Sequence, residues 1–373
     1  MKARIFIAVF IFILIFLSVP FHATDTDKII DEQIEDYGVD DIEEYIPDSA
    51  KENAEEYGEI TIDEAKSLLN VENAIGFCIK VFFSVFGNKA RLIIELAALA
   101  FVMWLFNVLS EENRQSGIGK ILNFVTVAAA SAIFFDAVFV TADTLISQFG
   151  ELFTFLSSLI PVLLTLTAAE GYTATAAAVG SAVSFGIFVV TFLINSFITP
   201  FTAMYLSLGI ASSMTDSVDF RKIAQSIRNI VNGIFGAIFC VFSAIMVSQK
   251  YFALAGDSLS RRTLKFAAGS FLPLAGSGIS EGVDTAFACA AVLRTNVGSV
   301  GVAVLFFTVV PPVMEIGATL FLIAITRAIC GFFENDALAS FFSVISNVFA
   351  VLLTVSVLAA LMVFLSLAVL VRL

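Results

Sequence analysis

From residue 92 onward the chain alternates long apolar runs with short polar gaps, the runs falling at roughly 92–109, 121–140, 152–168, 175–199, 201–214, 230–249, 297–313, 316–331 and 342–370. Several approach or exceed the about 20 residues that a helix needs to cross a bilayer. A soluble core would separate its apolar positions with charged faces at helical or strand period, and most of this chain has none. The pattern predicts an all-α, polytopic integral membrane helix bundle. Nine crossings is the working count within a range of about seven to nine, since Pro200 splits one apolar region and the last run is long enough to tilt or break.

The N-terminus follows a different pattern. Met1 to Arg4 is basic, Ile5 to Val19 is apolar, and Pro20 and Ala23 follow, which is the layout of a secretory signal. Phe21 stands where a cleavage site after Ala23 favours a small residue, so residues 1–23 read as a signal peptide or an uncleaved anchor. Either places residues 24–90 outside the cytoplasm. In that segment Ile30, Ile34, Tyr37, Ile42, Tyr45 and Ile46 recur at three-to-five spacing before Pro47, predicting short amphipathic helices. The segment reads either as a solvated spacer or as a docking element for an extracytoplasmic partner.

Charge sharpens this division. The net charge is −13, and residues 24–73 account for it, with eighteen Asp and Glu against three Lys. This one strong field has the wrong sign for phosphate, so no nucleic-acid partner is expected. Starting outside, nine crossings put Arg114, Lys120, Arg221, Lys222, Arg228 and Arg372 in the cytoplasm, as the positive-inside rule asks. Lys80, Lys89 and Arg91 resist this placement, and so do Lys250, Arg261, Arg262, Lys265 and Arg294. The second group brackets GSFLPLAGSGISEGVD, residues 269–284, whose glycines and Pro273 suggest a re-entrant or interfacial segment near 255–295 within the membrane domain 91–373.

Candidate chemistry is sparse. The chain is 59% hydrophobic and 14% charged with one histidine, His22, beside the signal junction. Zinc proteases and Ser-His or Cys-His nucleophile pairs therefore lack their central residue. Cys78, Cys240, Cys289 and Cys330 are too widely spaced for a C-x-x-C site. Gly276, Gly278 and Gly282 do not form a phosphate loop, because no Gly-Lys-Ser/Thr follows. No catalytic residue, metal or cofactor is expected, and the chain reads as something other than an enzyme.

Three groups remain as candidates. Residues 216–231 place Phe220, Ile223, Ile227, Ile230 and Val231 on one helical face and Arg221, Lys222 and Arg228 on the other, suiting either anionic lipid headgroups or packing on the same protein. Asp136, Glu315 and Arg327, with Glu95 and Glu170, are ionisable residues in or beside apolar spans. Glu315 follows Pro311 and Pro312, and is expected to face an aqueous cavity or to pair with Arg327. Lining of a midplane cavity by these residues would make the chain an ion- or proton-coupled secondary transporter. Ala178, Ala182 and Gly186 form a small-xxx-small row compatible with a homo-oligomer.

The stretch RRTLKFAAGSFLPLAGSGISEGVDTAFACAAVLRTNVGSVGV, Arg261 to Val302, strongly resembles the stage III sporulation protein AE family of endospore-forming bacteria. The matching features are Arg262, Lys265, Gly269, Phe271-Leu272-Pro273, Gly276, Asp284, Leu293, Val297, Gly298 and Gly301. FRKIAQSIRNIVNGIFG, residues 220–236, is similar to the family's basic helix. The resemblance covers nearly the whole chain and is specific over about 219–302. It implies a subunit of a channel or secretion-like complex in the mother-cell membrane around the forespore, needed for late forespore development. Its partners would be other membrane proteins of the same operon and a forespore-side protein. Gly269, Phe271, Pro273, Gly276, Asp284, Gly298 and Gly301 are then candidates for structure or assembly.

Overall fold

The computed structural model describes residues 41–62, 64–109, 117–211, 220–271, 276–333 and 335–371, with the side chains of 258–286 and of scattered helical positions left aside. The signal-like segment, Pro273 and Arg372 lie outside these residues. Three short helices, α1 (Asp41–Glu44), α2 (Asp48–Ala54) and α3 (Ala65–Leu68), precede six long ones. These are α4 (Val71–Leu109), α5 (Gly117–Ala169), α6 (Thr173–Ala211), α7 (Phe220–Phe271), α8 (Gly276–Phe332) and α9 (Asp336–Val371). The described chain is all-helical, and five of its helices contain stretches long and apolar enough to span a membrane: Phe124–Ala169, Thr173–Ala211, Lys222–Gln249, Phe287–Phe332 and Asp336–Val371.

The nine apolar runs therefore lie on six helices. Runs 121–140 and 152–168 join in α5, 175–199 and the described part of 201–214 in α6, and 297–313 and 316–331 in α8. Proline explains why the sequence suggested breaks. Pro200 and the Pro311-Pro312 pair each remove helix hydrogen bonds, yet all three lie inside continuous helices. At 57 residues α8 extends about 85 Å, far beyond the about 30 Å hydrocarbon core of a bilayer. The division expected near residue 90 falls inside one helix, since α4 runs through it from Val71.

Helix α8 is central. Buried residues make up 89% of its most apolar window, against 22% for α7. It packs on α9, α5 and α4, and Phe306, Phe307, Phe341, Phe342 and Phe349 are fully enclosed between these helices. Between apolar helices in a bilayer, dispersion packing must supply the attraction that hydrophobic transfer supplies in water. Close approach at small residues serves this purpose. A methyl group at Gly298 would overlap Val371 of α9, and one at Gly301 would come within 2.6 Å of Leu159 in α5.

Two expectations about surfaces change. Gly186 faces inward, where an added Cβ would overlap the Phe242 ring of α7, and Ala182 beside it is buried. The small-residue row thus packs α6 on α7 within one chain. The acidic segment likewise turns back on its own bundle. Ile42, Ile46, Ala50, Ala54, Ile60 and Leu68 are buried, which accounts for the amphipathic spacing and corrects the solvated-spacer reading over residues 41–70.

The stretch rich in glycine and proline is helical on both sides of 272–275. Gly269 and Phe271 close α7, Gly276 opens α8 and Asp284 lies within α8. The segment expected to be re-entrant or interfacial is helical over 255–271 and 276–295, in two helices that pack on each other.

Candidate functional site: a polar stripe along the central helix

Positions 294, 301, 308 and 315 of α8 are seven residues apart, two helical turns, and so share one stripe. This stripe faces α5, meeting Leu159 at Gly301 and Thr141 at Glu315. Polar groups interrupt the apolar packing at three levels along it.

The first level lies at the turn between α5 and α6. Gly171 adopts φ 86°, a left-handed conformation that glycine accepts without Cβ strain. The Tyr172 N–H donates to the Thr167 carbonyl at 3.2 Å and the Gly171 N–H to Ala168 at 2.9 Å, closing α5 in a Schellman motif. Glu170 precedes the glycine, and its carboxylate meets the Arg294 guanidinium of α8 at 3.0 Å, each side chain 5% exposed. Tyr172 offers no side-chain acceptor to the helix that follows. Asp257 of α7 supplies one from across the bundle, its two oxygens accepting the N–H groups of Ala174 at 2.9 Å and Thr175 at 2.8 Å. These donors and the positive end of the α6 dipole offset the buried negative charge.

The second level is the proline break. Pro311 has no N–H to give the carbonyl of Phe307, four residues earlier. The amide of Asn53 in α2 replaces it, Nδ2 donating to the Phe307 oxygen at 3.0 Å. One turn earlier in α2, Ser49 Oγ donates to Glu151 of α5 at 2.7 Å. Tyr57, Phe77 and Phe307 cluster around the same point, mostly edge to face, with ring centroids 5.1–6.3 Å apart. The acidic segment is thus fastened where the central helix lacks its own hydrogen bond.

At the third level Lys89 of α4 donates to Glu315 at 2.7 Å and to Thr319 Oγ1 at 3.0 Å, while Thr141 Oγ1 lies 3.5 Å from the same carboxylate oxygen. This corrects the expected Glu315–Arg327 pair. Arg327 is twelve residues along the same helix, about 18 Å away, and is exposed. Asp136 is exposed as well. The three intramembrane candidates do not converge on a shared cavity.

The basic helix divides between its two expected roles. Arg228 Nη1 donates to Asn347 Oδ1 of α9 at 3.0 Å, tying α7 inward, whereas Lys222 is exposed; Arg221 lies on the same helix. Sequence reasoning missed Asp257, Asn53 and the pairing role of Lys89. A signal existed for two of them: α6 begins without a side-chain cap of its own, and consecutive prolines inside an apolar run require an outside donor.

Together these contacts define a class, an all-helical membrane protein whose central helix is cross-linked to its neighbours by buried charged and polar pairs. The family model for stage III sporulation protein AE matches residues 53–373. The chain belongs to that family, which implies a role in sporulation. It is similar to the stage III sporulation protein AE of Bacillus subtilis (strain 168), 24% identical over 291 residues that cover 78% of this chain and 73% of that protein. No solved structure matches the chain.

Proposed function

We propose that this chain is a structural or conduit-forming subunit of a channel or secretion-like complex between mother cell and forespore. It resides in the mother-cell membrane around the forespore and acts without catalysis, alongside other membrane proteins of its operon and a forespore-side partner. The observation that carries the reading is family membership over residues 53–373. The disposition of charge supports it, because Glu170, Asp257 and Glu315 each bind another helix of the same chain. Side chains committed to such cross-links hold a scaffold in shape, whereas a carrier needs them to alternate between partners.

The test compares replacement of Gly269, Pro273 and Gly276 by alanine with Glu315→Gln. Spore yield and co-purification of the operon's membrane proteins are measured for both. The subunit reading expects the glycine/proline variant to lose assembly and spores more severely. Full sporulation and intact assembly in that variant, with loss only in Glu315→Gln, would overturn it in favour of a coupled transporter.

A further inference from the structure

The first half of α5 carries an outward face that nothing in the described chain covers. Ile121, Val125, Phe135 and Val140 are exposed there, at 64%, 55%, 49% and 59%. Asp136 stands among them, exposed and without an ion pair among the described residues. Its helix is firmly packed on the opposite side, where Ala130 and Val138 are fully buried and Phe134 meets Phe342 with ring centroids 5.7 Å apart.

Depth makes this carboxylate unusual. It lies about 18 Å along α5 from Phe124, where the apolar span begins, and about 7.5 Å from Thr141 at the level of the Lys89–Glu315 pair. Two other carboxylates near this level are answered within the chain, while Asp143, two helical turns beyond Asp136 on the same face of α5, is exposed like it. Glu315 has Lys89, and Glu95 accepts from Arg91 at 2.8 Å. A carboxylate turned toward lipid is costly and calls for a partner.

We propose that this face docks a membrane-spanning helix of a different protein, one carrying a lysine or arginine at the depth of Asp136. Charge complementarity selects that occupant. A second copy related by a two-fold axis through the same face would bring two Asp136 side chains together, and like charges facing each other in an interface oppose association. The proposal rests on the reading of the chain as a subunit of a membrane assembly and specifies the chemistry of one contact in it.

The test uses the full chain in phosphatidylcholine vesicles with synthetic Leu/Ala helices of about 20 residues bearing a single central Lys, Gln or Leu. Energy transfer from Trp104, the only tryptophan, to a dansyl group on the peptide reports association. The Lys peptide is expected to bind about tenfold more tightly than the Leu peptide, and Asp136→Asn to abolish the difference. Equal binding of all three peptides would overturn the proposal. Equal binding of Lys and Gln peptides would overturn the cationic partner, and Lys-peptide binding unchanged by Asp136→Asn would place the contact elsewhere and overturn it too. Self-association of the chain that depends on Asp136 would assign the face to a second copy instead. Because the vesicle assay requires no sporulation, its failure is distinguishable from failure of the subunit reading.

Discussion

Asp257 caps a helix to which it does not belong: its carboxylate oxygen accepts the backbone N–H of Thr175, 82 residues earlier in the chain, at 2.8 Å. With Glu170 and Arg294 it turns the α5–α6 corner into a junction of four helices, so the fold of this corner depends on charges that are almost entirely buried.

Asp257→Ala removes both acceptors from the start of α6. Loss of a charged cap costs about 1–2 kcal/mol, and the buried N–H groups left behind add to that. Asp257→Asn keeps one acceptor and is expected to lose roughly half as much. Chemical unfolding in detergent should rank wild type above Asn above Ala. Equal stability of all three would show that other groups satisfy the α6 terminus.

The Glu170–Arg294 pair makes a sharper demand. Removing one member leaves the other charged in an apolar interior, at a cost of about 3–5 kcal/mol. Removing both costs far less. Arg294→Met alone should therefore destabilise the protein severely, and Glu170→Leu added to it should restore much of the loss. A double-mutant cycle by thermal unfolding measures the coupling, and additive losses would rule out a direct pair.

These contacts show what the sequence disclosed and what it withheld. The apolar runs announced a helical membrane bundle, and the recurrence of Ile42 and Ile46 announced an amphipathic segment, because burial leaves a periodic trace in composition. Helix continuity left no such trace. Pro200 and Pro311-Pro312 look like breaks locally, but the chain stays helical through them and, at Phe307, a side chain from α2 supplies the missing donor. Glu315 was visible as a costly charge, whereas its partner was not. Arg327 is close in sequence, but Lys89 is close in space, and the distinction depends on how α4 packs against α8. The uncapped start of α6 called for an outside acceptor, but Asp257 could not be picked out as that acceptor, since a cap from another helix has no fixed spacing from the helix it serves.

Gly186 and Gly301 are sites where helices approach too closely for a side chain. Gly186→Ala forces the Phe242 ring aside and Gly301→Ala presses on Leu159. Overpacking of this kind costs about 1–3 kcal/mol. The Gly186 variant should suffer more, because a buried aromatic ring has fewer escape routes than the tip of a leucine. Thermal unfolding of both variants provides the comparison, and the reverse order would mean that α6 and α7 separate more readily than α5 and α8.

Cys78 offers a chemical probe of the same packing. Burial pushes its thiol up to about 11 from the usual 9.0, outweighing the lowering by a backbone hydrogen bond. A higher value means less thiolate at any pH below it, so at pH 8 the folded protein should alkylate at this position about a hundredfold more slowly than an ordinary thiol. The rate should climb as pH rises toward 11. Mass-spectrometric alkylation across that range reads it directly, and rapid labelling at pH 8 would mean that α4 opens away from the bundle.

Asn53 connects the acidic segment to the central helix. Asn53→Leu keeps the side chain's size and removes the donor, leaving the Phe307 carbonyl with neither its helix partner nor its substitute. An unpaired buried carbonyl costs about 1–3 kcal/mol. The loss should fall on the docking of α2 more than on the bundle, because the Pro311 break persists in either case and the six long helices keep their other contacts. Hydrogen–deuterium exchange resolves the two. The variant should exchange faster across residues 48–57 while α9 stays protected, and Asn53→Asp, which also cannot donate, should behave in the same way. Unchanged exchange in both variants would show that the apolar face of Ala50 and Ala54 and the Tyr57–Phe77 contact hold the segment without the hydrogen bond. Faster exchange through α9 as well would instead make this one amide a support for the whole bundle.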